Sequence, residues 1–219
     1  MRDYFIPAAR CLILSVLIFA LGGCQTAYYS TMEKFGVHKR DILVDRVEEA
    51  RDSQDDAKEQ FQSALGRFSA VLHFDGGDLE DKYKQLNDEY EESMERAEEV
   101  RDRIDSVEDV AEALFAEWSK ELEQYSRSDL RRSSEKKLRE TRSHYQRLIK
   151  AMRKAERSMD PPLEAFQDQV LYLKHNLNAR AIASLKGELA SVKSDIGILI
   201  RDMEKSIAEA DSFIKDLEK

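Results

Sequence analysis

The chain has 219 residues, a net charge of −9 at pH 7 and 36% charged residues, with only 8 glycines and 3 prolines. This composition is typical of long helices with few turns, and the acidic balance argues against nucleic-acid binding because it repels phosphate. Both cysteines, Cys11 and Cys24, lie near the N-terminus, so the sequence predicts no disulfide framework.

Residues 1–23 have the pattern of a secretory signal peptide. Arg2 and Arg10 precede an apolar run that extends from Cys11 to Leu21. This run is shorter than the ~20 apolar residues that a transmembrane helix requires. We therefore expect an exported protein whose first segment is removed.

The end of this segment, Leu21-Gly22-Gly23-Cys24, resembles the bacterial lipobox. The resemblance implies cleavage before Cys24 and a diacylglycerol on its thiol, which would hold the mature chain on a membrane. The alternative is an ordinary cleaved signal with an incidental cysteine. In proteins of the lipobox type, a residue other than aspartate after the cysteine implies the outer membrane. Gln25 fits, so we expect the periplasmic face of that membrane.

Residues 24–40 are predicted to form a lipidated tether, and residues 41–219 a helical domain. In the first helix, at about 41–72, seam residues alternate in steps of four and three, which is typical of coiled coils. Gln54 is the one polar residue in that seam and is of the kind that fixes register. The segment Phe74–Asp78 contains Gly76-Gly77 and predicts a turn, whose acidic residues lack the spacing of a calcium-binding loop.

The second helix, predicted at about 78–125, has the most regular seam in the chain. Between Asp75 and Glu123 there are 19 acidic against 6 basic residues, a balance of −13. The third helix, at about 129–159, is the opposite, since Arg127 to Asp160 contains 12 basic and 5 acidic residues, a balance of +7. The seam of the second helix consists of Leu79, Tyr83, Leu86, Tyr90, Ser93, Ala97, Val100, Ile104, Val107, Ala111, Leu114 and Trp118.

The joint between these helices, residues 126–129, contains no Gly or Pro, so a continuous rod remains one alternative. A fold-back is the other. Trp118 and Leu138 are 20 residues apart, so in one continuous helix the apolar seams to which they belong would lie roughly 200° out of phase. Folding back would also lay the basic helix along the acidic one. We predict the fold-back.

A last helix is predicted at about 162–218, after the boundary at Pro161-Pro162. The fold class is therefore all-α, an elongated antiparallel coiled coil or bundle of about four long helices. In the folded-back arrangement, the segment from about Val192 onward overhangs the third helix. It must then contact the first two helices or a second copy of the chain.

The sequence has few candidates for catalytic or metal-binding residues. The four histidines, His38, His73, His144 and His175, are scattered, and no pair has the spacing of a metal site. No phosphate-binding glycine loop or nucleophile motif occurs. We expect no enzyme, no cofactor and no metal.

Two zones with a wide apolar face are candidates for binding a partner or ligand. One ends at Trp118, and the other contains Leu173 together with the polar residues His175, Asn176 and Asn178. Polar residues here are also consistent with hydrogen bonds that fix helix register. A basic run from Arg131 to Arg139 either binds a phosphate-bearing partner or pairs with the acidic second helix.

Two stretches, residues 28–44 and 168–185, resemble a Gram-negative lipoprotein family whose domain has no known function. The resemblance extends over nearly all of the mature chain and implies an all-helical exported protein, without any activity or ligand. The first functional hypothesis is a lipid-anchored periplasmic scaffold that binds an envelope protein or associates with itself. The second is a binding or carrier module for lipids or other amphiphiles.

Overall fold

The computed structural model describes residues 38–72, 79–176 and 185–218, and all regular structure in these ranges is helical. The predicted all-α bundle is confirmed. The elements are α1 (Lys39–Leu72), α2 (Leu79–Glu121), a 3-10 turn (Leu122–Gln124), α3 (Ser128–Arg157), α4 (Asp160–His175) and α5 (Leu189–Leu217).

Several predictions concern residues outside these ranges. The signal peptide, the lipobox with Cys24 and most of the tether precede His38. The predicted turn Phe74–Asp78 and the candidate residue Asn178 fall in the two internal gaps. None of the helices in the described ranges is long and apolar enough to cross a membrane.

Helices α1 and α2 are antiparallel. Lys39 Nζ at the start of α1 lies 3.0 Å from Glu117 Oε1 near the end of α2. Farther along α1, Gln60 Nε2 donates to the backbone oxygen of Glu89 at 3.3 Å. The predicted seams of the two helices therefore face each other along their shared length.

Helices α2 and α3 fold back on each other, so the fold-back is confirmed and the continuous rod is wrong. Tyr125 and Arg127 both have extended backbones, with ψ of 118° and 119°, and this interrupts the helical path. Trp118 Nε1 in α2 then donates to Ser134 Oγ in α3 at 2.8 Å. At the other end of α3, Arg101 lies 2.9 Å from Asp160 Oδ1.

The single last helix predicted at 162–218 is wrong, because the described residues of this stretch include two separate helices, α4 and α5. Helix α4 ends at His175, and Asn176 has φ of −134° and ψ of 54°, outside the helical region. Residues 186–188 form a turn before α5 begins. Gly187 in this turn has a low helix propensity, a signal that the apolar periodicity around it hid.

Helix α5 is antiparallel to α3 and also packs on α1. Lys154 of α3 is bonded to Asp202, His144 lies 2.9 Å from Asp216, and Arg51 of α1 lies 3.2 Å from Asp211. The overhang predicted from Val192 onward is therefore absent, since the chain reverses before α5. The α5 seam is buried within the same chain, at Val192, Ile196, Leu199, Met203, Ala210 and Phe213.

One continuous core runs between all five helices. It contains two buried polar residues, Gln54 and Ser206, whose side chains have no hydrogen-bond partner among the described residues. Gln54 occupies the seam position predicted from the sequence and is fully buried. In the described part of the chain, the largest completely buried side chains are Phe61, Phe68, Phe213, Leu43, Ile104, Leu148, Met152, Met159, Leu185, Ile196, Leu199 and Met203.

Candidate functional site

The described residues contain no cluster of three or more His, Cys, Asp or Glu side chains that could hold a metal ion. His38 and His175 are exposed at separate places, and His73 lies outside the described ranges. His144 is the buried histidine of this part of the chain. It is therefore the one to test for chemistry.

His144 is a residue of α3 whose side chain faces α5, beside a surface cleft of about 520 Å³. Its Nδ1 is 2.9 Å from Asp216 Oδ2, and its ring meets Phe213 edge-on with centroids 5.5 Å apart. Thr141 and Ser143 also line the cleft, but neither hydroxyl is hydrogen-bonded to His144 within the described chain. The arrangement ties α3 to the end of α5 and lacks the nucleophile contact of a catalytic triad.

The residues predicted to form binding zones are not brought together. Trp118 is half-buried near the fold-back and donates to Ser134. Leu173 is buried in α4, beyond the far end of α3. His175 is exposed, and Asn176 Nδ2 donates to the backbone oxygen of Tyr172 at 2.9 Å, which caps the end of α4. These residues serve packing and helix termination at two separate places.

The outer face of α2 has a continuous row of carboxylates, which we call the acidic stripe. Its members follow the same alternation of three and four residues as the seam and lie on the opposite side of the helix. Eight residues spaced in this way extend ~36 Å along the helix. All are exposed: Asp88, Glu91, Glu95, Glu98, Asp102, Asp105, Asp109 and Glu112.

Most of the acidic stripe is not neutralised by neighbouring helices. Glu98 pairs with Arg101 on its own helix at 3.2 Å, and Asp105 pairs with Arg153 of α3. Glu95, Asp102 and Glu112 have no ion pair within the described ranges. The stripe is thus a strongly negative surface that folding leaves open to solvent.

Arg153 is the main link between the charges of α2 and α3. Its side chain is 24% exposed and bonds Glu108 and Asp105 of α2 and Glu156 of α3. These hydrogen bonds, with Glu108 the strongest, raise the pKa of Arg153 above its usual value. Burial and then the nearby Glu108 carboxylate raise the pKa of Tyr145 to about 12.

Other cations of α3 point to solvent along a face that we call the basic stripe. Among the described residues, Lys136 and Arg139 pair only with glutamates one turn away on the same helix, at 3.7 and 2.8 Å. The pairing of α3 with α2 expected from their charge balance therefore centres on Arg153. The basic stripe consists of Arg132, Lys136, Arg139, Lys150 and Arg157, all exposed, with Ser143, Gln146 and the partly buried Arg153 in the intervening positions.

Residues 28–217 match the family described as "Protein of unknown function (DUF2959)", and the chain belongs to this family. Neither the curated proteins nor the solved structures gave a match to the chain. The family assignment therefore adds no activity to the geometry described above.

Proposed function

We propose that this protein is a lipid-anchored scaffold of the cell envelope, held by Cys24 at the periplasmic face of the outer membrane. It would bind a protein partner through the acidic stripe and perform no catalysis. The proposal rests on one observation: eight carboxylates of α2 are exposed in a regular row while the core beneath them is filled.

The regularity of the acidic stripe favours a partner over simple solubility. Like charges three and four residues apart on a helix destabilise it by a few tenths of a kcal/mol per pair. A row such as Asp102, Asp105 and Asp109 therefore weakens α2, although neighbouring arginines offset part of the repulsion. A basic surface laid along the stripe would remove that repulsion and gain attraction from many weak pairs at once.

The proposed location at the outer membrane rests on the sequence at the N-terminus. A signal peptide that ends in a lipobox would leave Cys24 as the first residue, and two or more acyl chains suffice for stable anchoring. Helix α1 begins at Lys39, so the tether connects the anchor to the end of the bundle at which α2 also ends. The acidic stripe would then extend away from that end.

A crosslinking experiment in intact cells tests the scaffold proposal. A photoreactive amino acid in place of Asp102 should crosslink to a discrete envelope protein, because this position lies in the middle of the acidic stripe. The same residue at Glu59, exposed on α1, is the matched control and should capture little. Equal background labelling at both positions would contradict partner binding by α2.

The anchor is tested separately by intact-mass measurement and fractionation. The mature chain should begin at Cys24, carry the added mass of a lipid, and sediment with membranes. A soluble chain of unmodified mass would remove this part of the proposal. Native mass spectrometry of the same preparation tests the amphiphile carrier, which has less support because side chains fill the described core.

A further inference from the structure

The acidic stripe of α2 and the basic stripe of α3 complement each other. The acidic stripe extends from Asp88 to Glu112 and the basic stripe from Arg132 to Arg157. At 1.5 Å per residue both measure ~36 Å. The carboxylates repeat in steps of three and four residues, and the exposed cations occupy five of the eight positions of a similar repeat on α3. The two faces match in length and period and are opposite in charge.

The fold keeps most of the two stripes apart within one molecule. Both α2 and α3 turn their apolar seams toward the shared core, so the opposite sides of the two helices point outward. Asp105 of the acidic stripe is bonded to α3 through Arg153, which lies between Lys150 and Arg157 in the row of the basic stripe. Among the described residues, Arg132, Lys150 and Arg157 of α3 have no ion pair at all.

We propose that a second copy of this chain docks on these faces, with the acidic stripe of each copy against the basic stripe of the other. This inference rests on the proposed function and names the partner of the same surface. A two-fold pair brings the stripes together twice, leaves neither bare, and closes the assembly at two copies.

The size of the contact fits a specific but reversible dimer. A helix face ~36 Å long and ~10 Å wide offers ~360 Å². Two such faces per copy give ~700 Å², close to the ~800 Å² per partner of a standard interface. Because the contact is polar, its affinity should depend strongly on salt.

Charge reversal of either stripe tests the proposal by sedimentation velocity of the purified full chain in mild detergent. The acidic-stripe variant is Glu95→Lys, Asp102→Lys and Glu112→Lys. The basic-stripe variant is Arg132→Glu, Lys150→Glu and Arg157→Glu. Each alone should weaken dimerisation by about tenfold or more, since like charges then face each other. Mixed together, the two variants should form a heterodimer, because every stripe again meets its opposite.

A control variant separates the stripes from net charge. Asp56→Lys, Glu59→Lys and Glu204→Lys reverse three exposed carboxylates away from the acidic stripe, and should leave dimerisation unchanged. Raising the salt concentration should weaken the wild-type dimer. A monomeric wild-type chain would overturn the inference, and so would a dimer that resists both reversals or one that tightens with salt.

The measurement also distinguishes this inference from the proposed function. A chain without lipid on Cys24 would contradict the anchor and would leave a stripe-dependent dimer in place. A lipidated, membrane-bound chain that crosslinks to another protein but never dimerises would retain the scaffold proposal and exclude the second copy as its partner.

Discussion

The two halves of α3 carry similar numbers of cations but use them differently. The first half (residues 128–142) has six and the second (residues 143–157) has five. In the second half, Arg153 bonds acidic residues of α2, and Lys154 bonds Asp202 of α5. The first half is attached to α2 by Trp118, which donates to Ser134, and by the stacking of Arg142 on Phe115 at 5.1 Å. The charge balance of a helix therefore does not predict which of its charges form ion pairs. The pairs depend on which side chains face the neighbouring helix and on how the two helices are aligned.

The largest contrast between the halves should come from their leucines. Leu148 in the second half is fully buried, whereas Leu130 in the first is 46% exposed. Leu148→Ala should lower the free energy of unfolding by about 3–5 kcal/mol, through lost burial and a residual cavity. Leu130→Ala should change it by less than about 0.5 kcal/mol. Urea denaturation followed by circular dichroism measures both, and comparable losses would mean that α3 is packed evenly.

The arginines give the next largest contrast. Arg153→Ala removes hydrogen bonds to Glu108, Asp105 and Glu156, and should destabilise the fold by about 1–3 kcal/mol. Arg131→Ala is the matched control and should be close to neutral, because this exposed side chain has no ion pair in the described chain. The effect of Arg153→Ala should shrink at high salt. An equal cost for the two substitutions would contradict the role given to Arg153.

Trp118→Phe tests the contact that holds the first half of α3. Losing the hydrogen bond to Ser134 should cost about 0.5–1.5 kcal/mol. Because neither partner is charged, this cost should be the same at low and high salt, unlike that of Arg153→Ala. A double-mutant cycle with Ser134→Ala measures the coupling, and additive costs would show that the contact contributes nothing.

The last contrast concerns Tyr145 in the second half of α3, whose pKa of about 12 lies above its ordinary value of 10.0. A raised pKa in the folded chain means that folding favours the neutral phenol. Its contribution to stability is therefore complete below about pH 10 and is lost as the pH rises toward about 12. Tyr145→Phe should flatten this loss in alkaline urea titrations. An unchanged pH dependence would place the titration elsewhere.

The sequence predicted the positions of most helices because their seams are long and regular. It also predicted the fold-back at residues 126–129, since Trp118 and Leu138 lie out of phase on a single helix. It missed the division of the last helix, because apolar residues continue in phase past Asn176 and Gly187. The candidate surface was found in part: the acidic balance of α2 was evident, but its arrangement as a stripe was not recognised.

By itself, the sequence determined an all-helical chain with apolar seams and the two opposite charge balances of α2 and α3. These properties are local, set by the spacing of residue types along one helix. The tertiary structure alone decided that α5 reverses to bury its seam on α1 and α3, and that the acidic and basic stripes point outward. Those outcomes depend on which helix faces contact each other. Packing of the shared core determines these contacts, and the positions of the charged residues result from it.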